Sequence, residues 1–245
     1  MAKFGLIGKN IDYSFSRSYF AKKFNEEGLD HTYDNFDIKE IEAFADIINN
    51  TSSLKGLNVT IPYKEEVIPF LSKLNKTAKK IGAVNTIKIT KKGKLIGYNT
   101  DYYGFKKSIE PFLKSHHKNA LILGTGGASK AIAYALKKLG IDYNYVSRTL
   151  SEKATFSYNT LTDNDIKTHT VIINCTPLGT HPNTNVCPDI PYDALTKDHL
   201  LFDLIYNPEE TKFLAVGKAK GAEICNGYRM LELQAEKAWS IWNKG

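Results

Sequence analysis

The sequence predicts an α/β fold in two parts. An N-terminal part with a mixed sheet spans residues 1–101, a doubly wound parallel sheet spans 102–227, and a helix follows over about 228–245. Three observations carry this expectation. Strand and helix patterns alternate through the first hundred residues. The apolar runs ALIL, VIINCT and LLFDLIY read as strands of one sheet. A glycine turn follows the first of these runs and opens a helix-patterned stretch, the layout of a βα unit.

In chain order, FGLIG from Phe4 reads as a strand, and a helix around Phe20 and Phe24 ends at Gly28. A strand near Phe36 and a helix carrying Ile41, Phe44, Ala45 and Ile48 follow. In NVTIP, Val59 and Ile61 alternate with Asn58 and Thr60 in the period of a half-buried strand, and Pro62 stops the ladder. An amphipathic helix with Val67, Ile68, Leu71 and Leu74 is expected next, then AVNTIKI and LIGYN as a hairpin about the KKGK turn. After Asp101 a helix through Phe105, Ile109 and Phe112 ends near His116. The second part has a strand at Ala120–Leu123, a helix closed by Gly140, a strand at Tyr143–Val146, and strands from Val171 and Leu200. The last helix carries a stripe of Leu231, Ala235, Ala238 and Trp242.

A chain of 245 residues forms one large domain or two of ordinary size. No apolar run approaches a membrane span, and MAKFGLIGKN reads as a strand and turn rather than a signal peptide, so a cytoplasmic protein is expected. Cys175, Cys187 and Cys225 are too scattered for a disulfide framework or a metal knuckle, and no metal is expected. The net charge, 33 − 26 = +7, favours anionic ligands. The lysine groups at 76, 79, 80 and at 91, 92, 94 contain no arginine and read as solvated surface, so no nucleic acid is expected.

Asn58, Thr60 and Lys64 place an amide, a hydroxyl and an ammonium at a strand end, where ligands dock in open α/β sheets. They form either a ligand wall or a helix start with a solvated lysine. Gly124 and Gly126 hold the first two positions of a dinucleotide fingerprint, whereas Ser129 stands at the third. Such a turn binds a dinucleotide, serves a methyltransferase, or connects strand to helix. After the next strand stand Ser147, Arg148 and Thr149, with no carboxylate for a ribose 2′-hydroxyl. Arg148 is either a 2′-phosphate contact, favouring NADP over NAD, or a surface loop residue.

SFS (Ser14–Ser16), NVTIPYK (Asn58–Lys64), GAVNT (Gly82–Thr86), NTD (Asn99–Asp101), GTGGASK (Gly124–Lys130), SRT, NCTPLG (Asn174–Gly179) and GYRMLELQA from Gly227 occur in this order. Together they resemble the shikimate dehydrogenase family over essentially the whole chain, and the resemblance implies that residues 1–101 are the substrate-binding domain, that 102–227 bind the dinucleotide, and that the helix over about 228–245 returns to the first part. The resemblance implies NADPH-dependent reduction of 3-dehydroshikimate to shikimate, with Lys64 and Asp101 at the reacting centre. Lysine is charged at neutral pH, which suits a donor to a ketone oxygen gaining negative charge, as proton carrier or as electrostatic stabiliser. Asp101 alone also reads as a helix N-cap.

The resemblance further implies that Ser14, Ser16 and Tyr206 bind the ring carboxylate, otherwise turn or cap positions for the serines. Thr60, Asn85, Asp101 and Gln234 would bind ring hydroxyls, with Asn58 in the same wall; Gln234 alone could face solvent. NADP(H) would be held by Gly124, Thr125, Gly126, Gly127, Ala128, Ser147, Arg148, Thr149, Lys153, Thr176, Leu204 and Gly227. Partners would be the small substrate only, with no membrane, the protein a monomer or weak homodimer. Tyr13 and Arg17 depart from the family's histidine and proline around the serines, and Glu152 stands where a basic residue is usual, with Lys153 one later. The rivals are an NAD-linked quinate/shikimate dehydrogenase and a non-catalytic dinucleotide or shikimate binder.

Overall fold

The computed structural model of the chain describes residues 1–12, 14–152 and 154–244. The chain folds as two compact units, one formed by Met1–Thr100 with Ala235–Gly245 and the other by Asp101–Gln234.

The first unit runs β1 (Ala2–Gly8), α1 (Phe15–Glu26), β2 (His31–Asp37), a 3-10 turn leading into α2 (Phe44–Asn50), β3 (Leu54–Val59), β4 (Lys73–Leu74), α3 (Lys76–Ile81), β5 (Thr86–Ile89) and β6 (Leu95–Tyr98). Its sheet has the order β2-β1-β3-β5-β6-β4. The β1–β2, β1–β3 and β4–β6 pairs are parallel, and β5 is antiparallel to both β3 and β6. The sheet is therefore mixed, as expected. Alternation along β1 sends Phe4 and Leu6 into a core with Phe20, Phe24 and Trp242, and Ile7 into another with Phe44, Leu57 and Val59. Trp242 donates its indole N–H to the Ile87 carbonyl at 2.9 Å, and Gly56 leaves the ring the room a Cβ would take.

The amphipathic helix expected after Pro62 does not form. Residues 61–67 are turns, a 3-10 turn spans Ile68–Phe70, and Lys73–Leu74 is a short strand against β6. Pro69 would fall inside such a helix, where it has no N–H to donate and its ring clashes with the preceding turn. Likewise Pro111 limits the helix after Asp101 to residue 109, followed by one 3-10 turn.

The second unit runs α4 (Asp101–Ile109), β7 (Asn119–Leu123), α5 (Gly127–Leu139), β8 (Asp142–Ser147), β9 (Phe156–Ser157), α6 (Asp163–Thr168), β10 (Val171–Asn174), β11 (Leu200–Asp203), α7 (Lys212–Ala219), β12 (Glu223–Cys225) and α8 (Tyr228–Asn243). All its strands are parallel, in the order β12-β11-β10-β7-β8-β9. Chain order therefore reverses between β7 and β10, the point where ligands dock in such sheets. Ile122, Ile173 and Phe202 fill the core on one face, and Leu121, Ile172 and Leu201 that on the other.

The helix α8 crosses the division: Tyr228–Gln234 belong to the second unit and the rest to the first, and Asp101 opens the second unit. Gly104 accounts for this local packing. A Cβ there would lie 2.5 Å from the Met230 carbonyl, so glycine brings α4 onto the start of α8.

Candidate functional site

In the first unit a buried polar cluster stands around the end of β3. Asn58 donates from Nδ2 to the Asn85 carbonyl at 3.1 Å and to Thr86 Oγ1 at 3.2 Å, and accepts the Tyr33 hydroxyl at 2.8 Å. Ser16, buried in α1, bonds the same tyrosine, whose own titration burial pushes far up. Asn85 holds the next turn: its Oδ1 accepts the Thr100 N–H at 2.6 Å and the Thr86 hydroxyl at 3.1 Å. Thr60 follows the strand, its N–H bonded to the Ile7 carbonyl at 2.8 Å and its methyl filling the room left at Gly8. Half-buried Lys64 is anchored through its carbonyl, which accepts the Val84 N–H at 2.7 Å. Ser14 precedes α1, makes no side-chain cap bond, and is half-buried. Ser16, Asn58 and Asn85 thus belong to one hydrogen-bonded network, with Tyr33, Thr86 and Thr100 as members to which the resemblance gave no role. Tyr13 lies outside the described residues.

In the second unit Asp101 is the first residue of α4 and 5% exposed. It is therefore inside the first turn rather than at the cap. Gln234 is 9% exposed, which excludes the solvent-facing alternative, and its Cβ stands against Gly104. The glycine turn after β7 has Gly124 at φ +98°, a conformation glycine adopts without strain, and Gly126 at the N-cap of α5. A Cβ at Gly126 would meet nothing within 4 Å, so the turn is open at the N-cap of α5. That suits a pyrophosphate at a helix N-terminus. Ser129 replaces the third glycine without loss: buried, it donates its hydroxyl back to the Gly126 carbonyl at 2.7 Å and closes the turn. At the end of β8, Ser147 accepts the Thr149 N–H at 3.2 Å and the Arg148 side chain is exposed, with no carboxylate among these three residues. Lys153 lies outside the described residues; Glu152 is exposed.

Beside the turn, Thr176 packs its methyl against Gly124, where a Cβ would lie 3.1 Å away. Leu204 closes on Gly227, whose missing Cβ makes room for the Leu204 carbonyl, and half-buried Tyr206 follows two residues later. Beneath them lies fully buried Asp203, whose carboxyl burial pushes up to about 6 against the hydrogen bonds from Thr211, Ile205 and Asn174. Burial also pushes up the neighbouring Cys175 thiol, so it is protonated at neutral pH. Among the described residues no group of three or more His, Cys, Asp or Glu could hold a metal ion, and no helix is long and apolar enough to cross a membrane.

Strand order, switch point and glycine turn define the second unit as a Rossmann-type dinucleotide-binding fold, joined to an α/β unit with a mixed sheet. Residues 6–87 match the family model for the shikimate dehydrogenase substrate binding domain. A shikimate dehydrogenase (NADP(+)) of Methanococcus maripaludis is 39% identical over 97% of this chain and 90% of its own length. A shikimate dehydrogenase crystallised with NADP+ superposes with a TM-score of 0.87 at 36% identity, covering 99% of this chain and 90% of that one. A quinate dehydrogenase from Corynebacterium glutamicum in complex with NAD superposes equally well, TM-score 0.87, at 27% identity, covering 99% and 93%. The chain belongs to the shikimate dehydrogenase family.

Proposed function

We propose that this protein catalyses the reversible NADPH-dependent reduction of 3-dehydroshikimate to shikimate. Similarity to an NADP(+) shikimate dehydrogenase along nearly the full length of both chains carries the reading. In this reading Met1–Thr100 forms the substrate domain, completed by the end of α8, and Asp101–Gln234 forms the cofactor domain.

The ketone gains a hydride at carbon and a proton at oxygen; NADPH, when bound, supplies the hydride. Lys64 donates a hydrogen bond to the developing alkoxide and then a proton, and takes it back in the reverse direction. Asp101 accepts a hydrogen bond from a ring hydroxyl. Thr60, Asn85 and Gln234 satisfy the remaining hydroxyls, with Asn58 shaping the same wall, and Ser14, Ser16 and Tyr206 donate to the ring carboxylate. Gly124, Thr125, Gly126, Gly127 and Ala128 cradle the pyrophosphate. Ser147, Arg148, Thr149 and Lys153 take the 2′-phosphate, and Thr176, Leu204 and Gly227 line the nicotinamide end. Arg148 supports NADP over NAD because a guanidinium gains from a phosphate and gains little from a ribose hydroxyl. The enzyme works in the cytoplasm as a monomer or weak homodimer.

The test follows NADPH absorbance with 3-dehydroshikimate, and NAD reduction with quinate. Turnover of the first pair well above the second supports the proposal. Preference for quinate with NAD, or turnover of neither, rejects it.

A further inference from the structure

Asp203 is buried without a cation beside it in its hydrogen-bond network, and three donors converge on it. Its Oδ2 accepts the Thr211 hydroxyl at 2.6 Å, and its Oδ1 accepts the Asn174 amide and the Ile205 N–H, each at 3.0 Å. The bonds continue outward. Asn174 Oδ1 accepts both the N–H of Thr176, at 2.9 Å, and its hydroxyl, at 2.6 Å, while Thr176 Oγ1 accepts the Leu178 N–H at 3.3 Å. Thr176 in turn packs on Gly124 of the glycine turn, and Gly179, at φ +99°, leaves its missing Cβ 3.6 Å from that of Thr211. One carboxylate therefore ties together the N-cap of α7, the loop after β11, the loop after β10 and, through Thr176, the turn after β7.

Burying a carboxylate is costly, and an apolar residue would fill a core at no such expense. What the carboxylate supplies is acceptors: two oxygens meet three donors, whereas the amide of asparagine offers a single acceptor oxygen and turns an N–H toward a donor.

We propose that Asp203 is a positioning residue for the cofactor: through Asn174 and Thr176 it fixes the loop Cys175–Gly179 against the glycine turn, and breaking these bonds weakens binding at the nicotinamide end. This rests on the cofactor reading of the second unit. It adds Asp203, Asn174 and Thr211 to that site as residues that act through others.

The experiment titrates NADPH fluorescence without substrate, alongside adenosine 2′,5′-bisphosphate, which lacks the nicotinamide end. Wild type is compared with Asp203→Asn and with Asn174→Ala, each checked for folding by circular dichroism. In Asp203→Asn, NADPH dissociation is expected to weaken about tenfold, the scale of one or two lost buried hydrogen bonds. Bisphosphate binding should stay within about twofold. Asn174→Ala cuts the link between Asp203 and Thr176 while leaving both residues in place and should also weaken NADPH, so the test stands even if Asp203→Asn does not fold. Equal NADPH affinity in folded Asp203→Asn or in folded Asn174→Ala overturns the proposal, as does parallel loss of both ligands. Failure of wild type to bind NADPH overturns the cofactor reading itself, a result distinct from any variant effect.

Discussion

The Asn85 side-chain oxygen accepts the backbone N–H of Thr100 at 2.6 Å, and Thr100 is the residue directly before Asp101. An amide in the GAVNT motif thereby fixes the backbone from which α4 and its first carboxylate start. Asn85 is engaged inside the protein as well as assigned to the substrate, so its loss has two consequences. Asn85→Ala removes the side-chain acceptor of the buried Thr100 N–H, at about 1–3 kcal/mol. Urea unfolding should show that loss, and kcat/KM for 3-dehydroshikimate should fall by more than the folded fraction explains. A purely structural residue would lower both in proportion.

Gly126 separates folding from binding. Its φ of −70° suits any residue and a Cβ there meets nothing within 4 Å. Gly126→Ala should melt within about 0.5 kcal/mol of wild type, as open surface substitutions do. Its NADPH dissociation constant should nevertheless rise tenfold or more, because the methyl occupies the approach to the N-terminus of α5. Unchanged NADPH affinity would remove the turn from the cofactor site.

Arg148 is exposed at the end of β8 and stands where cofactor choice is made. Arg148→Ala should weaken NADPH by about tenfold or more, the scale of a charge-assisted pair, and leave NADH nearly unchanged. Parallel loss of both would show that the guanidinium serves the adenine or the fold instead of the 2′-phosphate.

Asp203 gives stability a pH dependence opposite to that of most carboxylates. Its folded pKa, about 6, lies above the ordinary 3.8, because burial favours the neutral acid. Between those values the folded state holds more protons than the unfolded chain. The contribution is therefore fully present below about pH 4 and is lost as pH rises through 6, a swing of up to about 3 kcal/mol. The half-buried Glu110 and the exposed Asp193, both shifted downward by their lysines, act in the reverse sense. The comparison must therefore be wild type against Asp203→Asn. Urea unfolding at pH 4.5 and pH 7 should show that the variant lacks this component; identical slopes would contradict it.

Much of this architecture is legible in the sequence. The runs at Ala120–Leu123, Val171–Asn174 and Leu200–Asp203 have apolar positions on both faces because helices cover the parallel sheet on both sides. The stretch from Tyr63 to Leu74 was misleading for a physical reason. Tyr63 and Val67 are buried in a compact turn, and that spacing of apolar residues matches a helix as well. The strands β4, β9 and β12 are only two or three residues long and have no periodicity to read. The motif residues of the site were legible, but their supports were not. Asp203 meets Asn174 across 29 positions and Thr211 across eight, a convergence that only the folded sheet creates. An acid ending an apolar strand was the one available signal.

The central claim is that Lys64 delivers the proton in ketone reduction, and the most direct measurement is NADPH oxidation with saturating 3-dehydroshikimate by wild type and by Lys64→Ala. The variant should keep its fold and bind NADPH as wild type does, with kcat lowered by about 10²- to 10⁴-fold, the usual share of general acid catalysis. A variant that turns over within a few-fold of wild type would contradict the assignment of Lys64.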